Sequence, residues 1–342
     1  MKILSPRFKL TLLLSFALLG ILGFAIDGRY SFSGGSSVPV LSQEVGKLPF
    51  TVDENGTKVF ELVAEPITQM FSLDFNARRP IVVWGYNGKM PGPTIEVTEG
   101  DHIKVRFING LPEPTTVHWH GIELPNAMDG ASGFTQRPVP PGGTYVYEFT
   151  IKQHGTFMYH SGHMESHQVG MGLGGFFVAH PRRDYAPKVD MDFTLMLQIW
   201  KVLPGGGEPD TMSMDWNYFT INGKIAPATL PIEVKKGQRV RLRIANLSML
   251  SHPIHMHGVS FWVTGTEGGR IPDSAQWPAS TISVSAGETR TVEFVAEEPG
   301  TWLLHCHFLH HMMNDMDRPP IPGEMPPMNP AQGMFTTVVI YE

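Results

Sequence analysis

The run His305-Cys306-His307-Phe308-Leu309-His310-His311 holds the single cysteine of the chain, and Met316 follows ten residues after it. A thiolate, imidazoles and a thioether at this spacing form the donor set of a blue-copper electron-transfer site, which takes two His, one Cys and a weak axial Met. On an extended strand, alternate side chains point to opposite faces. Cys306 then faces one way and its two histidine neighbours the other. One strand could serve two metal centres back to back.

Twelve of the 15 histidines fall in four groups: His118/His120, His160/His163/His167, His252/His255/His257 and His305/His307/His310/His311. His118/His120 and His255/His257 are i,i+2 pairs, so each pair projects from one face of a strand. Imidazole suits copper, zinc, iron and nickel; the pairing of Cys306 with Met316 narrows the choice to copper. His102, His154 and His180 stand alone and read as structural or solvent-facing residues.

The elements that must position these groups come in two copies. Pro93-Thr94-Ile95-Glu96-Val97-Thr98-Glu99-Gly100 aligns with Leu230-Pro231-Ile232-Glu233-Val234-Lys235-Lys236-Gly237. That register holds without a gap through Asn109/Asn246, His118/His255 and His120/His257. A second block pairs Glu148-Phe149 with Glu293-Phe294, Gly155-Thr156 with Gly300-Thr301, and His160 with His305. Within each copy, Ile103–Phe107 and Val240–Ile244 alternate apolar and basic residues, as half-buried strands do. Turn signals such as Pro140-Pro141-Gly142-Gly143 and Ala286-Gly287 separate them. The pattern predicts an all-β chain of two Greek-key β-sandwiches in tandem.

The length of 342 residues suits about two domains. Abundant Gly (36) and Pro (29) favour short strands and turns over long helices. A net charge of −6, with 17% charged residues, argues against nucleic acid as a partner. Lys2, Arg7 and Lys9 precede an apolar run from Leu10 to Ile26, the pattern of an export signal. The run is at the short edge for spanning a bilayer, and no good cleavage pattern follows it, so an uncleaved anchor is the alternative. The expected organisation is a signal or anchor at 1–26, a linker at 27–48, and β-domains at 49–182 and 183–342. The protein is then exported, periplasmic or extracellular.

His118-Trp119-His120-Gly121, His252-Pro253-Ile254-His255-Met256-His257-Gly258 and His305-Cys306-His307 resemble the signature motifs of multicopper oxidases, in particular two-domain laccase-like members built from two cupredoxin domains. The resemblance covers roughly residues 50–342. It implies a type 1 copper on His252, Cys306, His311 and Met316, and a type 2 copper on His118 and His255. It implies type 3 coppers on His120, His160, His257, His305 and His307, giving four coppers per chain. It further implies oxidation of a reductant, phenolic, aromatic or Cu(I), near a solvent-facing His311. Electrons would pass through Cys306 to a trinuclear cluster that reduces O2. Two-domain relatives place that cluster between subunits, which implies a homotrimer.

The chain departs from the second motif and carries three further features of note. The second motif, normally His-x-His, reads His160-Ser161-Gly162-His163, with Gly162 where a type 3 ligand belongs. His163 could replace it through a bulge at Gly162, His167 could, or neither does. Asp129 matches an acidic residue beside the trinuclear cluster and could relay protons. The repeat also places Ser161 opposite Cys306, Thr115 opposite His252, Ser166 opposite His311 and Met171 opposite Met316. This is the remnant of a second type 1 site, so one blue copper is expected, in the second domain. The tail is dense in methionine, Met312, Met313, Met316, Met325, Met328 and Met334, and forms either a Cu(I)-binding loop or an apolar lid. The rival functions are a blue-copper carrier or copper-resistance protein without oxidase activity, and a copper nitrite reductase. The latter keeps its type 1 Cys in the first domain.

Overall fold

The computed structural model describes residues 38–72, 80–312 and 333–342. The signal segment, residues 27–37 of the expected linker, and residues 313–332, Met316 among them, lie outside them. The first half contains strands Val40–Leu41 (β1), Phe50–Val52 (β2), Lys58–Gln69 (β3), Ile81–Tyr86 (β4), Gly92–Thr98 (β5), His102–Asn109 (β6), Val117–His120 (β7), Thr144–Thr150 (β8), Gly155–Ser161 (β9) and Gly174–His180 (β10). One short helix, Glu165–Gln168 (α1), follows β9. The second half contains Met191–Trp200 (β11), Tyr218–Ile221 (β12), Ile232–Lys235 (β13), Arg239–Asn246 (β14), His252–Met256 (β15), Phe261–Thr266 (β16), Gly269–Arg270 (β17), Trp277–Ala279 (β18), Thr281–Val284 (β19), Thr289–Val295 (β20), Gly300–Cys306 (β21) and Phe335–Tyr341 (β22).

Each half is a pair of sheets. In the first, β2-β3-β6-β8 with β4 on β3 faces β5-β10-β9-β7. In the second, β11-β14-β20-β16-β17 faces β13-β22-β21-β15-β19. The same crossovers recur: β3 runs parallel to β6 and β11 to β14, while β5 runs parallel to β10 and β13 to β22. The sequence repeat is therefore a repeat of structure. Gly100 and Gly237, at φ +92° and +85°, make the same turn into β6 and β14, a conformation glycine adopts without cost.

Alternation decides what each strand buries. On β6, Ile103, Val105 and Phe107 point inward and are fully buried, whereas His102 and Arg106 face out. Together with Trp119, Tyr147, Phe157 and Tyr159 they form the first core. The second core gathers Leu242, Ile244, Ile254, Val292, Leu304 and Val338. Burying one such side chain contributes about 1.5–3 kcal/mol.

The halves are joined by two apolar seams. One packs Phe71, Val83 and Met90 on Trp200 and Tyr218; the other packs Met158, Phe176 and Val178 on Met196 and Leu247. From residue 38 onward the stretch expected as linker is packed as well. Val40 is buried and β1 pairs in parallel with β11, and Leu48 enters the first core. A strand of only two residues, Val40-Leu41, gives no periodic signal of its own; the neighbouring edge of β11 recruits it.

Candidate metal centres

Asn109 and Asn246 end the equivalent strands β6 and β14 and are both buried. The Asn109 amide donates to the carbonyls of Glu113 and Val139, and its oxygen accepts from the Leu111 N–H. Asn246 repeats this with Leu250, Val284 and Ser248. Each clamp fixes the loop that leads into a histidine-bearing strand, β7 or β15. Buried amides are retained where their hydrogen bonds are satisfied.

The second half brings His252, Cys306 and His311 together, with all three donor atoms within 4.8 Å of one another. The Cys306 sulfur lies 3.7 Å from His252 Nδ1 and 3.3 Å from His311 Nδ1, and the two nitrogens are 3.1 Å apart. All three residues are completely buried. Burial pushes the Cys306 thiol up to about 12 and holds His252 and His311 down at about 4 and 3, the latter with help from His252 and His310. The imidazoles are thus neutral, the form in which they bind metal. Two imidazoles and a thiol facing one buried point fit copper in their donor chemistry. Met316 lies outside the described residues.

His311 does not face solvent as expected. Phe219 stacks on its ring at 4.1 Å, and Phe308 and His310 meet it edge-on. The stacked cover, Phe219, comes from β12, remote in sequence. The outer nitrogen of His252, Nε2, lies 2.8 Å from the Ser248 hydroxyl. Such a partner fixes ring orientation and metal affinity. Ser248→Ala is expected to weaken copper binding at this group about 10–100-fold, measured by competition with a chelator while following the blue absorption.

Two histidine groups make a second pair of features. In the first half, His118, His120 and His160 offer nitrogens within 4.8 Å of one another. His118 Nδ1 donates to the Asp129 carbonyl at 2.8 Å, and the Asp129 carboxylate is 3.6 Å away. His160 Nδ1 donates to the Ser161 carbonyl at 2.8 Å, leaving Nε2 3.1 Å from His120 Nδ1. Burial holds His160 down at about 3 and lowers His120 as well. In the second half, the His255, His257, His305 and His307 rings lie 5.0–5.6 Å from their neighbours. His305 Nδ1 donates to the Cys306 carbonyl at 3.0 Å, and His255 Nδ1 sits 2.8 Å from the Ser280 carbonyl. For His118, His160, His255 and His305 a backbone oxygen takes one ring nitrogen, and the other nitrogen of His160 and of His305 lies 3.1 Å from a neighbouring imidazole. His257 and His307 are exposed.

Among the described residues no ring contact or hydrogen bond links the first-half trio to the second-half quartet. The trio instead lines a cavity of about 470 Å³ with Trp216, Ser248 and Met249. His163 and His167 are not brought to it. His163 Nδ1 meets Ser132 Oγ at 2.8 Å, and His167 Nδ1 meets Thr211 Oγ1 at 2.8 Å. Glu165 and Ser166 are exposed at the cavity wall.

The remnant site is only partly as the repeat places it. Thr115 and Ser161 do meet, their hydroxyls 3.3 Å apart. The third corner is Gln168, not Ser166: its Oε1 accepts from Ser161 at 2.6 Å and Thr115 at 2.7 Å. The helical turn of α1 lies between β9 and this corner, so counting residues along an extended chain lands on the wrong side chain. Met171 is buried in the first core.

Two cupredoxin-like sandwiches carrying these groups define the class as a two-domain copper-protein fold. Residues 69–184 and 204–320 each match a family model described as multicopper oxidase. The solved multicopper oxidase mgLAC is 30% identical, covering 82% of this chain and 86% of its own, with a TM-score of 0.71. The blue copper oxidase from Nitrosomonas europaea is 29% identical over 82% of this chain and 85% of its own, also at 0.71. Laccase-19 of Oryza sativa subsp. japonica is 30% identical over 74% of this chain. The chain spans less than half the length of that relative, 44% of it. The chain belongs to the multicopper oxidase family.

Proposed function

We propose that the chain is a laccase-like oxidase. It couples one-electron oxidation of a phenolic, aromatic or Cu(I) reductant to four-electron reduction of O2, which takes up four protons and yields two waters. The observation that carries the reading is the position of Cys306. Its side chain lies in the His252/His311 group, while its neighbours His305 and His307 lie in the quartet on the other side of the strand. Copper bound at these groups supplies one-electron redox chemistry. His252, Cys306 and His311, with Met316, are the residues to hold the type 1 ion. His118 and His255 are those for type 2, and His120, His160, His257, His305 and His307 those for type 3. The protein orients the rings through backbone carbonyls, and Asp129 can hold a proton beside His118.

The separation of trio from quartet supports a homotrimer, in which the first half of one copy meets the second half of the next. The N-terminal segment supports export. Purified, copper-loaded chain is expected to carry near four coppers, to sediment as a trimer and to consume one O2 per four electrons from a phenol or Cu(I). One or two coppers without O2 uptake would make it an electron carrier or copper-resistance protein. Nitric oxide from nitrite would make it a nitrite reductase.

A further inference from the structure

Where the second motif lacks its histidine, the fold closes the position. Gly162 is buried, and a Cβ there would stand 2.3 Å from the Gly130 carbonyl oxygen and 2.9 Å from Thr116 Oγ1. The obstructing loop cannot retreat. Gly130 is at φ +82°, and a Cβ on it would meet the Val117 carbonyl at 1.8 Å. Thr116 Oγ1 donates to the Gly130 carbonyl at 2.6 Å, and the Ser132 N–H to the Gly162 carbonyl at 3.0 Å. No ligand side chain fits at residue 162.

The two histidines that could compensate are not among the nitrogens that gather with His118, His120 and His160. The His163 backbone N–H donates to Ser161 Oγ at 3.1 Å, and its ring is held by Ser132. His167 is held by Thr211, with Glu113 3.9 Å away and its ring edge-on to Trp84. Gln168 locks the segment between them. It binds both remnant hydroxyls through Oε1 in a buried setting and donates from Nε2 to the Pro114 carbonyl at 2.9 Å. The trio of Thr115, Ser161 and Gln168 thus holds the segment with His163 outside the group of nitrogens that His118, His120 and His160 form.

We infer that the first half contributes three imidazoles and no more, so that the joined cluster carries seven, with the eighth position left to a ligand from outside the protein, water in the simplest case. This rests on the oxidase reading above. Metal sites that keep a position for solvent are the ones that bind and exchange small molecules.

The test uses full-length, copper-loaded protein and three single variants, His163→Ala, His167→Ala and, as reference, His160→Ala. Copper per chain and the electron paramagnetic resonance spectrum are read together with the blue absorption. His163→Gln and His167→Gln, which can keep the bonds to Ser132 and Thr211, stand in if an alanine loosens the loop. The expected result is wild-type copper content and an unchanged spectrum for the His163 and His167 variants, and loss of at least one copper for His160→Ala. Loss of copper or an altered spectrum in a His163 or His167 variant, with blue absorption intact, overturns the inference alone. Wild-type protein that is blue but holds a single copper overturns the inference and the oxidase reading with it.

Discussion

Cys306→Ser is expected to abolish the blue absorption and to lower O2-coupled turnover by more than about 100-fold, the upper end of what losing even an outer partner of a metal ligand costs. The reason is chemical before it is steric. Serine keeps the size of the side chain within one atom, but it exchanges a soft sulfur for a hard oxygen, and copper of this type selects the thiolate. The sulfur lies within 3.7 Å of both imidazole nitrogens, with no solvent access through which another ligand could enter. On the oxidase reading proposed above, the same atom starts the covalent path to His305 and His307, so binding and transfer would fail together. Folding should survive, because a buried hydroxyl between two imidazoles has partners available and avoids the penalty of an unpaired polar group. The decisive measurements are the visible spectrum, O2 uptake and thermal unfolding of the metal-free chain. A serine variant that remains blue and active would remove Cys306 from the mechanism.

How much of this was legible in the sequence depends on whether an element obeys strand periodicity. The offset between copies transfers β6 onto β14, because both are regular strands entered by the same left-handed glycine turn. It likewise places His118/His120 and His255/His257 on equivalent strands and puts His305 and Cys306 on opposite sides of β21. Where the chain leaves the extended state, counting fails. Gln168 occupies the corner assigned to Ser166 because α1 advances the chain by helical steps. The burial of His311 depends on Phe219, some ninety residues earlier in sequence, and no local pattern announces it. Ser248 carries no local signal for a different reason. A serine two residues beyond a buried asparagine has an ordinary turn role, and only its 2.8 Å approach to His252 gives it another.

Asp192→Asn is expected to cost about 3–5 kcal/mol of stability, since it leaves buried arginine charge uncompensated. That corresponds to a fall of roughly 10 °C in the unfolding midpoint of a domain of this size. Asp192 is fully buried and receives two hydrogen bonds of 2.8 Å from Arg243, plus one of 3.1 Å from Arg241. Arg243 also reaches across to Thr156 Oγ1 of the first half at 2.7 Å. Burial acts to raise the Asp192 carboxyl, but Arg243 and then Arg241 outweigh it and hold it below the usual carboxylate range. Its stabilisation is therefore complete above the unfolded value, near 3.8, and is lost as pH falls through the lowered native value. The gap between wild type and variant should be full at pH 7 and close only below about pH 4. A difference under about 1 kcal/mol at neutral pH would mean that desolvation of the ions consumes what their attraction supplies. The equivalent strand position in the first half tests the argument from the other side. There Arg106 pairs with Glu61 at 2.8 Å, but both are more than half exposed. Glu61→Gln should then cost no more than about 1 kcal/mol. The repeat supplies the arginine to both strands. The difference lies in what covers it, because β9 of the first half packs against β14, whereas His102 and Arg106 leave the outer face of β6 exposed.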